Sequence, residues 1–153
     1  MNYAPILIPS LNRYNHLKRC VESLAKCTHA DKTDLFIALD YPLKEEHWEG
    51  YRQIKEYVSS IEGFNTITII QRDHNYGPVE NFSNAQNQIY DKYDRIICSE
   101  DDNEFSPNFL DYVNKGLEKF NDDPKIIAIC GDGGIFKPPV DYEQNYVVRK
   151  GFS

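Results

Sequence analysis

Arg95-Ile96-Ile97-Cys98-Ser99-Glu100-Asp101-Asp102-Asn103 is the stretch on which the reading of this chain turns. An apolar run of strand type ends directly in three consecutive carboxylates. Like charges a few ångströms apart are unfavourable unless a cation sits among them. Oxygen-rich clusters suit hard divalent ions such as Mg²⁺ or Mn²⁺, and those ions in turn suit phosphates. The plainer reading is a solvated acidic turn. Position argues for a site, because open α/β sheets bind ligands at the carboxyl ends of their buried strands.

Outward from that stretch, strand and helix patterns alternate. Ala4-Pro5-Ile6-Leu7-Ile8-Pro9 reads as a first strand. Leu17, Cys20, Val21 and Leu24 then recur at i, i+3, i+4, i+7, one helical face, with Asn15 as its N-cap. Leu35-Phe36-Ile37-Ala38-Leu39 is a second buried-type strand, closed by Asp40 and Pro42. Trp48, Tyr51, Ile54, Val58 and Ile61 mark a helix ending at Gly63. Thr66-Ile67-Thr68-Ile69-Ile70 is β-branched throughout, a third strand. Phe82, Ala85 and Ile89 predict a third helix after the Asn75-Tyr76-Gly77-Pro78 turn. Beyond the acidic stretch, Ser106-Pro107 opens a helix with Leu110, Val113, Leu117 and Phe120 inward. Ile126-Ile127-Ala128-Ile129-Cys130 predicts a fifth strand and Tyr146-Val147-Val148-Arg149 another. The first four strands are expected near residues 5–9, 35–40, 66–71 and 95–100. Continuous apolar strands separated by helices imply an α/β fold, a mostly parallel sheet with helices on both faces.

The 153 residues make one domain, large enough to bury a core without staples. A formal net charge of −7 argues against a nucleic-acid partner and is compatible with a metal-bridged anionic ligand. Cys20, Cys27, Cys98 and Cys130 show neither a CxxC pair nor zinc spacing, so reduced, buried, structural thiols are expected. No basic-then-apolar leader opens the chain, and no apolar run approaches membrane-spanning length. A cytoplasmic location is the expectation.

Neither GxGxxG nor GxxxxGK[ST] follows the first strand, which weighs against dinucleotide oxidoreductases and P-loop NTPases. Pro9-Ser10-Leu11-Asn12-Arg13 stands there instead. Near a helix N-terminus, Arg13 has the donors to meet a diphosphate; otherwise it is a surface arginine. Asp40 ends the second strand on the same edge, able to accept a hydrogen bond from a nucleobase or ribose, or simply to form a turn. Arg72 and Asp73 end the third strand there, and taken alone read better as a surface ion pair. Of the four histidines only His74 falls on this edge. Asp132, between glycines, is on it too, as a ligand residue or a turn residue.

Together these residues resemble a known family. Ile6-Leu7-Ile8-Pro9-Ser10-Leu11-Asn12-Arg13, with the Leu17-Lys18-Arg19-Cys20-Val21-Glu22-Ser23-Leu24 helix, looks like the opening of family 2 glycosyltransferases. Ser99-Glu100-Asp101-Asp102, then Phe105-Ser106-Pro107-Asn108-Phe109-Leu110 and Asp123-Pro124, is similar to the N-acetylglucosaminyltransferase I type, where Glu-Asp-Asp plays the part of the Asp-x-Asp metal motif. The resemblance implies a GT-A fold with a mostly parallel, Rossmann-like sheet. It implies a donor site in which Asp102 holds Mn²⁺ or Mg²⁺ on the diphosphate and Asp101 holds the ribose. Glu100 would lie near the metal waters or the sugar, Asp40 at the base, and Arg13 at the diphosphate. Pro9 and Arg72 complete the expected substrate contacts.

The implied reaction is metal-assisted, inverting transfer from a nucleotide-diphospho-sugar, a UDP-sugar by resemblance, to a glycan or lipid-linked acceptor. It suits polysaccharide biosynthesis, with peripheral membrane association possible. Two departures stand out. Of the family's Asn-x-Gly-x-x-x-Ala-x-Asn pattern, Asn75-Tyr76-Gly77-Pro78-Val79-Glu80-Asn81 keeps only the first half. The family's catalytic base also lies well beyond the metal motif, so residues 1–153 are expected to be the donor-binding part, with the base and the acceptor-binding part beyond Ser153. Asp132 or Asp73 as base is the opposing possibility. Two rival classes remain. A non-catalytic nucleotide- or metal-binding module, such as a receiver-type switch, needs acids directly after the first strand. A sugar nucleotidyltransferase needs a Gly-rich basic loop there.

Overall fold

The structure is a computed structural model describing residues 3–131. Asp132 and the strand expected over Tyr146–Arg149 lie outside the described residues. Among the described residues four strands form one sheet: β1 (Ile6–Ser10), β2 (Leu35–Leu39), β3 (Ile67–Gln71) and β4 (Ile97–Cys98). Their spatial order is β3-β2-β1-β4 and every pairing is parallel. The helices are α1 (Tyr14–Ala25), α2 (Trp48–Val58), α3 (Gly77–Tyr90) and α4 (Phe109–Lys119).

Strand alternation sorts the core into two layers. Ile6, Ile8, Leu35, Ile37 and Leu39 pack with Leu17, Val21, Leu24, Ile54, Leu110 and Val113 of α1, α2 and α4. Leu7 and Ala38 point the other way, onto Ala85 and Ile89 of α3. Both faces are covered, which is why the strands read as unbroken apolar runs. Each fully buried Leu or Ile stabilises the fold by about 1.5–3 kcal/mol relative to exposure.

Strand order builds outward from β1 through β2 to β3, then reverses to place β4 on the far side of β1. At such a reversal the connections leave in opposite directions and a crevice opens beyond the strand ends.

β4 is shorter than the expected run over 95–100, and prolines explain it. Ile97 N–H donates to the Pro5 carbonyl (2.8 Å) and Ser99 N–H to the Leu7 carbonyl (3.1 Å). Alternate residues Pro5, Leu7 and Pro9 therefore turn their backbones toward β4. Neither proline has an N–H to return. The ladder is confined to Ile6–Ile97 and Leu7–Cys98, after which the chain past β4 is free to diverge from β1.

Other expectations are corrected in detail. Ile126–Cys130 is not assigned as a strand: it lies across a cleft from β4 and α4, without ladder bonds among the described residues, and Ile127 is 90% exposed. Asn15 lies inside α1, whose cap is Arg13; the Arg13 carbonyl accepts from the His16 and Leu17 amides. α2 stops at Val58, and Gly63 instead supplies a left-handed residue, φ +93°, in the loop to β3. α4 begins at Phe109, because the Ser106 hydroxyl donates to Asn108 Oδ1 (2.8 Å) rather than capping the helix. Cys20 and Cys27 are buried as expected, whereas Cys98, on the short edge strand, and Cys130 are exposed. Among the described residues no helix is long and apolar enough to cross a membrane.

Candidate active site at the sheet reversal

A cleft of about 1150 Å³ opens at the carboxyl edge of the sheet. Its walls are the β1–α1 turn (Pro9 to Arg13), Asp40 after β2, the start of α3, and the acidic turn after β4. Pro9, Arg13, Asp40, Glu100 and Asp101 line it together although they come from three separate strand ends. Asp102 is not among the lining residues but touches one that is.

That residue is Arg13. Its guanidinium forms ion pairs with Asp101 and with Asp102 Oδ2, the latter at 3.0 Å. The cation that three adjacent carboxylates call for is thus supplied from the β1–α1 turn, about 90 residues away. The hydrogen bond to Asp101 raises the guanidinium pKa further, against a smaller opposing effect of burial. Asp101 is also fixed from below, where the buried Ser10 hydroxyl donates to its Oδ2 at 2.8 Å. Asp101 is only 3% exposed, whereas Asp102 and Glu100 are exposed.

The Arg13 backbone is set by packing. Gly50 of α2 lies so close to Asn12 that a Cβ there would sit 1.9 Å from the Asn12 carbonyl oxygen. Only glycine lets the two segments meet.

Asp40 is 4% exposed. Its Oδ1 accepts from the Tyr41 amide (2.9 Å) and the Tyr76 amide (2.8 Å), and its Oδ2 accepts from Asn75 Nδ2 at 3.3 Å. A carboxylate accommodates about four such bonds, so Oδ2 keeps acceptor capacity.

Arg72 is not brought into the cleft lining. It is buried, and its donors run inward to Asn81 Oδ1 (2.8 Å), Asn84 Oδ1 (2.8 Å) and the Asn81 carbonyl (3.0 Å). The guanidinium also lies 4.5 Å from the Tyr76 ring centre, which favours a cation over the ring face. Arg72 therefore fastens α3 to the end of β3 and forms no ion pair with Asp73. Asp73 pairs instead with His74 (2.7 Å) on the exposed side, and neither lines the cleft.

His47, Asn75, Asn81 and Phe82 do line it. This corrects the expectation that His74 alone of the histidines falls on this edge, and it adds residues that read in the sequence only as parts of a turn pattern and a helix face. Asn75 and Gly77 belong to the retained half of the Asn-x-Gly pattern, a signal that was available. His47 ends a 3₁₀ turn, Glu45–His47, that carries no periodicity to mark it. Asn81, where the family pattern has Ala, receives Arg72 and donates to the Ala38 carbonyl (2.9 Å).

Among the described residues no group of three His, Cys, Asp or Glu side chains is arranged as a metal cage. Asp102 nonetheless offers an exposed carboxylate whose Oδ1 has no hydrogen bond among the described residues. One or two carboxylates are what a protein contributes to Mg²⁺ carried in on substrate phosphates. The donor set fits a substrate-borne cation.

The family model for glycosyl transferase family 2 matches residues 6–152. No curated protein sequence matches the chain significantly. A crystal structure of S. aureus TarS superposes with a TM-score of 0.57 at 14% identity, covering 78% of this chain and 20% of that one. A structure of S. aureus TarS 1–349 gives 0.56 at 13% identity, covering 78% and 33%. This likeness bears on the fold: an α/β sheet of GT-A type. The chain spans a third or less of the length of those structures.

Proposed function

The chain belongs to glycosyl transferase family 2, and on that premise we propose that its cleft binds a nucleotide-diphospho-sugar, a UDP-sugar, for metal-assisted inverting transfer to a glycan or lipid-linked acceptor. The observation that carries the reading is the convergence of Arg13, Asp40 and Asp101 on one cleft at the strand-order reversal, with Asp102 against Arg13. Asp40 accepts from the base, Asp101 from a ribose hydroxyl, and the Arg13 fork binds the diphosphate. Asp102 would hold Mn²⁺ or Mg²⁺, and Glu100 would lie near that cation or the sugar. When bound, the cation neutralises charge developing on the departing diphosphate. The residues themselves orient the donor so that its anomeric carbon faces the open side of the cleft. Residues 1–153 are in this reading the donor-binding part, working in polysaccharide assembly in the cytoplasm. A receiver-type switch is not favoured, since Ser10, Asn12 and Arg13 stand where its acids belong.

Calorimetric titration with UDP tests the reading. Binding should require Mn²⁺ or Mg²⁺, and Asp102→Ala should abolish the metal-dependent part. UDP affinity that is indifferent to both would refute it.

A further inference from the structure

We infer that Arg13 makes the acidic turn accept a divalent cation and a diphosphate together and resist either one alone. This deepens the donor-site reading and rests on it, by stating what the site demands of its ligand.

The charges around the turn set the argument. Glu100, Asp101 and Asp102 carry three negative charges, and Arg13 returns one positive. A diphosphate arriving alone meets a net negative turn and gains the guanidinium only by drawing it off two carboxylates. A cation arriving alone at Asp102 must lie beside a guanidinium already 3.0 Å from that carboxylate. Each ligand is opposed by the charge the other would neutralise. When both arrive, the diphosphate takes the guanidinium and the cation takes the carboxylate it leaves, so no ion is stranded. Coupling of this kind is reciprocal: each ligand tightens the other by the same factor.

The two aspartates differ in a way that assigns the moving partner. Asp101 is buried and keeps the Ser10 hydroxyl if Arg13 departs. Asp102 has Arg13 as its ion-pair partner and a side chain 36% exposed. Asp102 is the carboxylate free to exchange one cation for another. Arg13 can follow the diphosphate by side-chain rotation alone: that side chain is 48% exposed, while the neighbouring Asn12 backbone is pinned against Gly50.

The experiment is calorimetric titration of Mn²⁺ alone into the parent chain, Arg13→Gln, Arg13→Met and the double variant Arg13→Gln/Asp102→Asn. Circular dichroism confirms that each is folded. Without the guanidinium, Mn²⁺ should bind about thirtyfold tighter, the effect on a divalent ion of removing one positive charge about 4 Å away under water-like screening. The double variant should lose that gain. Equal or weaker Mn²⁺ binding by both Arg13 variants, or none by any protein, overturns the inference. Failure of the donor-site reading is distinguishable: UDP would not bind the parent chain, or would bind it indifferently to Mn²⁺, while the Mn²⁺-alone comparison would still judge Arg13.

Discussion

Asp34 and Asp101 stand at opposite ends of the same sheet, and both are held by hydrogen bonds from distant parts of the chain. Their partners differ in kind. Asp34, just before β2, accepts from Thr66 Oγ1 (2.6 Å), Asn65 Nδ2 (2.8 Å) and the Tyr93 hydroxyl (2.6 Å), all neutral groups next to the amino ends of β3 and β4. Asp101 is held by one neutral donor, Ser10, and by a guanidinium shared with Asp102. The amino-edge cluster is closed: the donors surrounding its carboxylate are neutral and short. The carboxyl-edge cluster is open, because its cation is half-exposed and serves two acids. One arrangement ties strands together; the other leaves charges that a ligand can re-pair. Substitutions that separate these two roles test the comparison.

The largest effect is expected at Gly50. An alanine there gains about 1 kcal/mol of helix propensity, so a stabilised protein would show that the close approach to Asn12 is unimportant. The Cβ would instead meet a backbone carbonyl, which cannot rotate away. Gly50→Ala should lower stability by about 3 kcal/mol in urea unfolding. It should also displace the Asn12–Arg13 turn, weakening UDP binding while leaving the Asp34 cluster intact.

Much of this was readable in the chain, and the exceptions have physical causes. Strand positions, the helical faces of α1 and α3, and the meeting of Arg13, Asp40 and the acidic turn on one edge follow from periodicity and parallel topology. Pairing partners do not. The prolines facing β4 shorten it to two residues, and Ile126–Cys130, apolar as it is, joins no ladder among the described residues. Arg72 read as an edge residue because its position is on the edge. Its side-chain direction was decided by Asn81 and Asn84, one and two turns into the next helix, as acceptors that composition does not reveal. Gly50 carries no mark in the helical periodicity, and only packing against Asn12 shows why it is glycine.

A smaller effect is expected at Ser10, where the open cluster touches the core. Its buried hydroxyl gives Asp101 a hydrogen bond to a charged acceptor. Ser10→Ala should cost about 2 kcal/mol. It also leaves Asp101 more dependent on Arg13, so the guanidinium is less readily surrendered to a diphosphate. UDP binding in the presence of Mn²⁺ should weaken. Unchanged affinity beside lost stability would place Ser10 with the closed cluster in role, and erase the distinction between the two edges.

The smallest effect is expected at Asp34, and its signature is a pH dependence. Burial alone would raise the Asp34 pKa, but hydrogen bonds from Thr66, Tyr93 and Asn65 outweigh it and hold the carboxyl below its ordinary value. Over that window the unfolded chain binds more protons, so stability rises with pH. The contribution is fully present above the unfolded value, about pH 4, and is lost as pH falls through the lower folded value. Tyr93 is the opposite case. Donating to Asp34, then burial, pushes its hydroxyl up to about 12. Its contribution is present below the unfolded value of about 10 and is lost as pH climbs toward the folded one. Asp34→Ala should therefore cost only about 1 kcal/mol at neutral pH, since the cluster is partly exposed. It should flatten the acid limb of the stability curve and return Tyr93 toward its ordinary ionisation, read as the tyrosinate absorbance that Tyr93→Phe removes. UDP and Mn²⁺ affinities should be unmoved. A change in either would mean that the amino edge is coupled to the cleft, and that the closed cluster does more than join strands.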